Sequence, residues 1–261
     1  MLEDTSADIL GKACAGLGIS PGRFPNAFLE VPEESALRSA AAELGLGGDA
    51  LCAIARGEYR PKPGALPYGF VMFTTSFGEM TVNSFAIWDD ASGLAAAFDT
   101  GSDCDGILDL VANRGLRLEA VFITHAHGDH IYDLDRLLEK TGAKAWSAEP
   151  VAGAEEFVPG RTFAVGCLKI STRLTCGHSP RGATYLVGGL ERGIAITGDA
   201  LFAGSMGGAK SSYADALRTT RDEVLSLPPE TLVCPGHGPL TTVGQEVLHN
   251  PFFSARRPAA R

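Results

Sequence analysis

The distribution of histidine restricts what this chain can fold into. Five of its six histidines lie in three short motifs, and an aspartate lies in a fourth motif of similar character. The motifs are residues 124–130 (THAHGDH), 177–180 (GHSP), 197–200 (TGDA) and 235–239 (PGHGP). Imidazole and carboxylate side chains together suit zinc, iron or manganese. Because one short loop cannot supply every ligand, the later motifs must return to the first in the folded chain.

The first motif joins a predicted strand to a predicted helix. Residues 118–124 (LEAVFIT) are mostly apolar and run directly into His125, and residues 131–140 (IYDLDRLLEK) carry apolar side chains at helical spacing. Gly128 permits a tight turn, so His125 and His127 can face one way while Asp129 and His130 face another. The motif therefore indicates two metal ions rather than one.

Two of the other motifs also follow strand-like segments. Asp199 comes after residues 193–197 (GIAIT), and His237 comes after residues 231–234 (TLVC). Ligands on loops that rigid strands hold form a preorganised site. His249 lies outside the pattern and is interpreted as a helix-end or tail contact.

Taken in order, these motifs resemble the pattern of the metallo-β-lactamase-fold hydrolase superfamily over roughly residues 70–250. The resemblance implies an α/β fold, a four-layer αββα sandwich. It implies one metal ion on His125, His127 and His178, a second on Asp129, His130 and His237, and Asp199 as the bridge between them. Asp99, in the segment 98–101 (FDTG), matches the superfamily's early aspartate, which supports the ligand loop without binding metal.

The chemistry implied by the resemblance is metal-dependent hydrolysis. Two divalent ions, zinc first with iron or manganese as alternatives, would lower the pKa of a shared water and give a bridging hydroxide nucleophile. Asp129 is the candidate catalytic residue because it would serve as both a ligand and a proton acceptor.

The segment 198–204 (GDALFAG) resembles glyoxalase II and its bacterial relatives, which favours a thioesterase acting on a small acyl thiol. In those relatives a basic and an aromatic residue hold glutathione. In this sequence the corresponding basic and aromatic residues, Lys210 and Tyr213, lie at shifted positions, so recognition of glutathione stays open. The other interpretation is that Lys210 is a solvated surface lysine and that Tyr213 starts a helix. Tyr132 and Arg181 are further candidates for contact with substrate, and a surface salt bridge is the other interpretation of Arg181. Lactonase, phosphodiesterase, mononuclear iron persulfide dioxygenase and a non-catalytic metal-binding regulatory module are the alternative functions.

Composition bounds the remaining organisation. With 261 residues and 45% hydrophobic content, the chain can bury one large core, and we predict a helical N-terminal appendage (1–65) and a catalytic domain (66–261). A net charge of −9 disfavours nucleic acid as a partner. Because neither a secretory signal nor a membrane-length apolar run is visible, we expect a cytoplasmic protein acting on a small molecule without a membrane.

We further predict a homodimer. One candidate interface is a pair of aromatics after a short helix at 243–248, for which packing onto the same chain is the other interpretation. The second candidate interface is formed by apolar positions of two helices predicted at 33–44 and 49–56. These side chains are Phe252, Phe253, Leu37, Ala41, Leu44, Leu51 and Ile54.

Overall fold

The computed structural model describes residues 1–255, which form two six-stranded β-sheets and helices on both sides of them. The first sheet contains, side by side in this order, β1 (Phe70–Phe77), β2 (Met80–Asp89), β3 (Leu94–Phe98), β4 (Arg117–Ile123), β5 (Lys144–Ser147) and β6 (Ala154–Glu156). The second sheet contains β7 (Thr162–Val165), β8 (Leu168–Leu174), β9 (Ala183–Gly188), β10 (Ile194–Gly198), β11 (Leu232–Pro235) and β12 (Thr241–Thr242). Strands β3 to β6 run parallel, as do β10 and β11, and the other neighbours are antiparallel.

Within residues 1–255, three α-helices precede the sheets, four lie between strands and one follows the last strand. They are α1 (Ser6–Leu17), α2 (Glu34–Leu44), α3 (Gly48–Ala55), α4 (Asp105–Arg114), α5 (Gly128–Ile131), α6 (Leu134–Thr141), α7 (Tyr213–Glu223) and α8 (Val243–His249). Across residues 1–255, every helix is too short or too polar to cross a lipid bilayer.

Apolar clusters separate four layers. Between the sheets, Phe98 and Phe122 of the first sheet pack against Tyr185 of the second. The outer face of the first sheet buries Ile107 and Leu137 from α4 and α6. On the outer face of the second sheet, a smaller cluster contains Val233 of β11, Val224 just after α7 and Val243 at the start of α8. This arrangement confirms the predicted αββα sandwich.

The N-terminal helices pack onto the second half of the chain. Helix α1 was not predicted, because Gly11 and Gly16 interrupt its pattern, but a capping box from Thr5 to Asp8 starts it. Gly16 is required by close packing, since a Cβ atom there would lie 2.4 Å from the ring of Tyr213. The cluster under α1, α2 and α3 includes Met206. Residues 1–65 therefore share an apolar core with later segments, and the domain boundary at residue 65 stays a prediction.

The side chains proposed for a dimer interface are covered by the chain itself. Leu37, Ala41, Leu44, Leu51, Ile54 and Phe252 are all buried, and Phe253 is partly buried against two apolar clusters. The assignment of these residues to an interface is therefore wrong, because intramolecular packing already removes them from water. The homodimer itself stays a prediction.

A buried polar network ties the linker before β1 to α8. The carboxylate of Glu246, which is fully buried, accepts hydrogen bonds from the Tyr59 hydroxyl at 2.6 Å, Thr241 Oγ1 at 2.8 Å, the Gly204 backbone N–H at 2.8 Å and Asn250 Nδ2 at 2.9 Å. Burial raises the pKa of Glu246. Because each donor comes from a different segment, the network fixes the loop after β10 relative to the N-terminal region.

We expect Tyr59→Phe to lower the free energy of unfolding by about 1–2 kcal/mol, because a buried acceptor loses one donor. Urea unfolding measures this change. Tyr68→Phe is the matched control, since Tyr68 is exposed and accepts only a long hydrogen bond from Arg114 at 3.3 Å. Equal stability of the two variants would contradict a structural role for the network.

Candidate metal centre

The motif residues meet at one edge of the two sheets. Asp99 follows β3 and His125 lies two residues after β4 in the first sheet, while Asp199 and His237 lie just after β10 and β11 in the second. His178 lies in the loop between β8 and β9. The carboxyl ends of strands from both sheets therefore position these side chains, which is where open α/β folds place their sites.

Three imidazoles form a first group. His127 Nδ1 lies 2.8 Å from His125 Nε2 and 2.9 Å from His178 Nε2. Asp199 Oδ2 lies 3.3 Å from His178 Nε2. One atom from each of these three imidazoles and one from Asp199 lie within 4.8 Å of one another, which suits one ion with tetrahedral coordination.

The second group contains Asp129, His130 and His237. Asp129 Oδ2 lies 3.2 Å from His237 Nε2 and 3.5 Å from His130 Nε2. Asp199 Oδ1 lies 3.3 Å from His130 Nε2 and 3.5 Å from His237 Nε2. The two oxygens of Asp199 are thus divided between the two groups.

Four of the five histidine rings in the two groups are oriented by a polar contact at Nδ1, the ring nitrogen that faces away from the other candidate ligands. His125 Nδ1 contacts Thr124 Oγ1 at 3.1 Å, and His130 Nδ1 contacts Asp99 Oδ2 at 2.8 Å. His178 Nδ1 contacts the Gly208 carbonyl at 2.8 Å, and His237 Nδ1 contacts the Thr81 carbonyl at 2.6 Å. A carbonyl or carboxylate at Nδ1 keeps the proton there and leaves Nε2 free as a ligand atom.

Asp99 holds the ligand loop through its side chain and a strained backbone. Its carboxylate accepts hydrogen bonds from the Thr124 backbone N–H at 2.7 Å and from Thr124 Oγ1 at 2.8 Å. Within residues 1–255 it is the one residue other than glycine with positive φ, at 54°. A residue other than glycine in this left-handed conformation raises the free energy of the folded chain by about 1 kcal/mol or more, so it is found where surrounding contacts hold it in place. The position is the one expected of a residue that supports the ligands.

Glu149 is a supporting residue that the sequence did not indicate. Its buried carboxylate accepts from the backbone N–H of Ala126 at 2.9 Å and from that of Arg181 at 2.9 Å. One carboxylate therefore links the loop of His125 to the loop of His178. No motif marks it, because its partners are backbone groups distant in the sequence.

The charges of the two groups differ in the metal-free protein. Burial lowers the pKa of His125, His127 and His178, which keeps these rings neutral. Burial also opposes a charge on His130, but Asp99 and Asp199 outweigh it and raise the pKa of His130 to about 10. Likewise, Asp129 and Asp199 overcome the effect of burial and raise the pKa of His237 to about 11.

The donor set fits metal ions. His130 Nε2 and Asp199 Oδ1 are buried atoms without a hydrogen-bond partner, and both point into the second group. A buried polar atom without a partner is costly, so a cation between these atoms would satisfy both. Imidazole nitrogens and carboxylate oxygens at this spacing are suitable for zinc, iron or manganese.

A cavity of about 440 Å³ lies beside the ligands. Lys210, Met80 and Phe202 line it, together with Glu3 and Lys12 from the N-terminal segment. Of the four candidate substrate contacts, Lys210 reaches this cavity. Glu3 and Lys12 were missed because nothing in their local sequence relates them to motifs so distant along the chain.

The other three candidates do not line the cavity. Tyr132 is exposed and packs edge-on against Phe77. Arg181 pairs with Glu156 at 2.8 Å, in agreement with the surface salt bridge that is its other interpretation. Tyr213 packs against α1 and the N-terminal cluster, where burial raises its pKa to about 12. The positions of Tyr132, Arg181 and Tyr213 therefore do not support their assignment to substrate binding, because the folded backbone directs these side chains away from the cavity.

Comparison with known proteins identifies the class of this fold and site. Residues 77–237 match the metallo-beta-lactamase superfamily, so the chain belongs to that superfamily and has the fold of metal-dependent hydrolases. It is 29% identical over 203 residues to a probable metallo-hydrolase, YqgX of Bacillus subtilis, covering 68% of this chain and 94% of that protein. It is 25% identical over 201 residues to the hydroxyacylglutathione hydrolase GloC of Haemophilus influenzae, covering 67% of this chain and 93% of that protein. The solved structure of TTHA1623 in a di-iron-bound form has a TM-score of 0.54 at 26% identity, covering 69% of this chain and 99% of that one.

In the metal-free protein we expect the rings of His130 and His237 to keep both protons from about pH 7 to about pH 9, because their raised pKa values lie above that range. The rings of His125, His127 and His178 should carry one proton throughout. Nitrogen-15 NMR of labelled histidine side chains distinguishes the two states. Zinc-loaded protein is the control, since a metal ion would replace the Nε2 proton of His130 and of His237. Loss of a proton from His130 or His237 near the ordinary histidine pKa would contradict this charge assignment.

Proposed function

We propose that the protein is a dinuclear metallohydrolase that cleaves thioesters of small acyl groups with an anionic thiol. The observation that carries this proposal is the divided carboxylate of Asp199, whose two oxygens lie 3.3 Å from His178 on one side and 3.3 Å from His130 on the other. A carboxylate in this position suits two ions close together. Two such ions supply an activated water at neutral pH and polarise the carbonyl of the substrate.

The chain contributes orientation and proton transfer. Asp129 lines the cavity, and its Oδ2 atom contacts His237 Nε2. The other carboxylate oxygen is therefore available to accept a proton from the attacking water. Hydrogen bonding from His237 holds the pKa of Asp129 at about 2, despite burial, so this carboxylate is ionised at neutral pH. Met80 and Phe202 provide apolar cavity walls for an acyl group. These features support an ester-type substrate that is apolar at its reacting end.

Lys210 supports an anionic thiol. Its exposed side chain lines the same cavity as His127 and His178, and its charge adds to the effect of burial in lowering the pKa of His127. In residues 1–255 no hydrogen bond or ion pair engages this ammonium, which leaves it available to a carboxylate of the substrate. The similarity to GloC, a hydroxyacylglutathione hydrolase, agrees with a thioester of such a thiol.

We expect Lys210→Ala to raise KM for a lactoyl thioester of glutathione about tenfold while leaving kcat nearly unchanged, as for loss of a contact equal in the ground and transition states. Turnover of a lactoyl thioester of a neutral thiol should not change. Lys169→Ala is the matched control because Lys169 is exposed on β8, away from the cavity.

Equal KM values for the glutathione thioester in Lys210→Ala and the wild type would contradict the proposed role of Lys210 in binding the anionic thiol. Turnover of a lactone or a phosphodiester without any turnover of thioesters would contradict the proposal that the substrate is a thioester. Consumption of oxygen with a persulfide substrate and one bound iron would contradict the hydrolase.

A further inference from the structure

Helix α1 lies outside the part of the chain that matches the superfamily, yet it reaches the loop beside the ligands. The Lys12 ammonium donates a hydrogen bond to the Met206 carbonyl at 2.8 Å and forms an ion pair with Asp4. It also lies 5.1 Å from the centre of the Phe202 ring. The side chains of Lys12 and Asp4 are 23% and 9% exposed, so the interaction is shielded from water and is stronger than a surface pair.

The loop that Lys12 contacts orients two ligands. One residue after Met206, the Gly207 backbone N–H donates to the Asp199 carbonyl at 2.9 Å. The next carbonyl, that of Gly208, contacts His178 Nδ1 at 2.8 Å. Three consecutive residues therefore connect the ammonium of Lys12 to the bridging aspartate and to a ligand of the first group.

The loop has little freedom to adjust its distance from these ligands. A Cβ atom at Gly207 would lie 2.4 Å from the Asp199 carbonyl oxygen and 2.7 Å from His178 Nδ1. At the other end, Asn250 Nδ2 donates to the Ser205 carbonyl at 2.8 Å. Lys12 holds the carbonyl that lies between this anchored end and the two glycines.

We propose that Lys12 is a positioning residue for the metal centre, holding the 206–208 loop so that Gly208 orients the ring of His178. Asp4 fixes the ammonium for this role. The N-terminal helices consequently form part of the functional site, as well as packing on the remainder of the chain. The inference concerns orientation of a ligand and holds whichever bond the centre cleaves.

The double variant Asp4→Asn, Lys12→Met tests this role without leaving an unpaired buried charge. We expect the zinc dissociation constant of one of the two ions to rise about tenfold, the range found when a group that orients a ligand is removed. Zinc titration against a chelator measures this constant. In the metal-free protein, the Nδ1–H proton of His178 should exchange faster with water, as measured by NMR.

Two further variants make the result specific. Lys12→Arg keeps a charge and donors, so it should retain the wild-type zinc affinity and His178 signal within about twofold. Lys140→Met removes an exposed lysine of α6 that has no hydrogen bond or ion pair within residues 1–255, and it should change neither measurement.

Wild-type zinc affinity and wild-type exchange at His178 in the double variant would overturn the proposal. A lower unfolding midpoint with both site measurements unchanged would also overturn it, since Lys12 would then contribute only to packing. An equal loss of zinc affinity in Lys12→Arg and in the double variant would contradict the role of the ammonium. None of these measurements depends on the identity of the substrate.

Discussion

The sharing of one buried carboxylate between two groups of imidazoles is the constraint on which the site depends. Asp199 is 8% exposed, and each of its oxygens faces nitrogen atoms of a different group. An ionised carboxylate at this depth is unfavourable unless it is compensated. In the metal-free protein burial acts to raise the pKa of Asp199, but the nearby imidazoles of His130 and His237 provide that compensation and hold this pKa well below its usual range. Metal ions would take over the same role, so the cluster is suited to positive charge in either state.

The surrounding backbone is shaped to bring Asp199 close to its partners. Gly198 has φ of 49°, and a Cβ atom there would lie 2.5 Å from Thr124 Oγ1. At Gly236, a Cβ atom would lie 2.4 Å from Asp199 Oδ1. A larger residue at position 198 would displace the loop after β4, and one at position 236 would displace the side chains of Asp199 and His130. The Thr197–Ala200 and Pro235–Pro239 motifs therefore contain glycine for steric reasons, beside the ligands they carry.

The candidate ligands could be identified because the information that specifies them is local. Three of the four motifs follow short apolar strands, and the strands predicted at 118–124, 193–197 and 231–234 differ from β4, β10 and β11 by one residue at each end. Strands β6 and β12 were missed, because Ala154–Glu156 is a polar edge strand and Thr241–Thr242 has only two residues. The roles of Arg181 and Tyr213 depend on the direction of side chains after folding, which sequence spacing does not determine. Lys12 and Glu149 act on backbone groups of distant loops, and no residue pattern encodes such contacts.

The number of metal ions per chain shows whether Asp199 bridges two of them. Elemental analysis of zinc-loaded wild-type protein and of Asp199→Ala, purified and dialysed in parallel, gives the number of ions per chain. We expect two ions per wild-type chain and the loss of at least one in the variant, with the fold retained because the core between the sheets does not include the candidate ligands. A single ion in the wild-type protein, or two ions in the folded Asp199→Ala variant, would contradict the bridge.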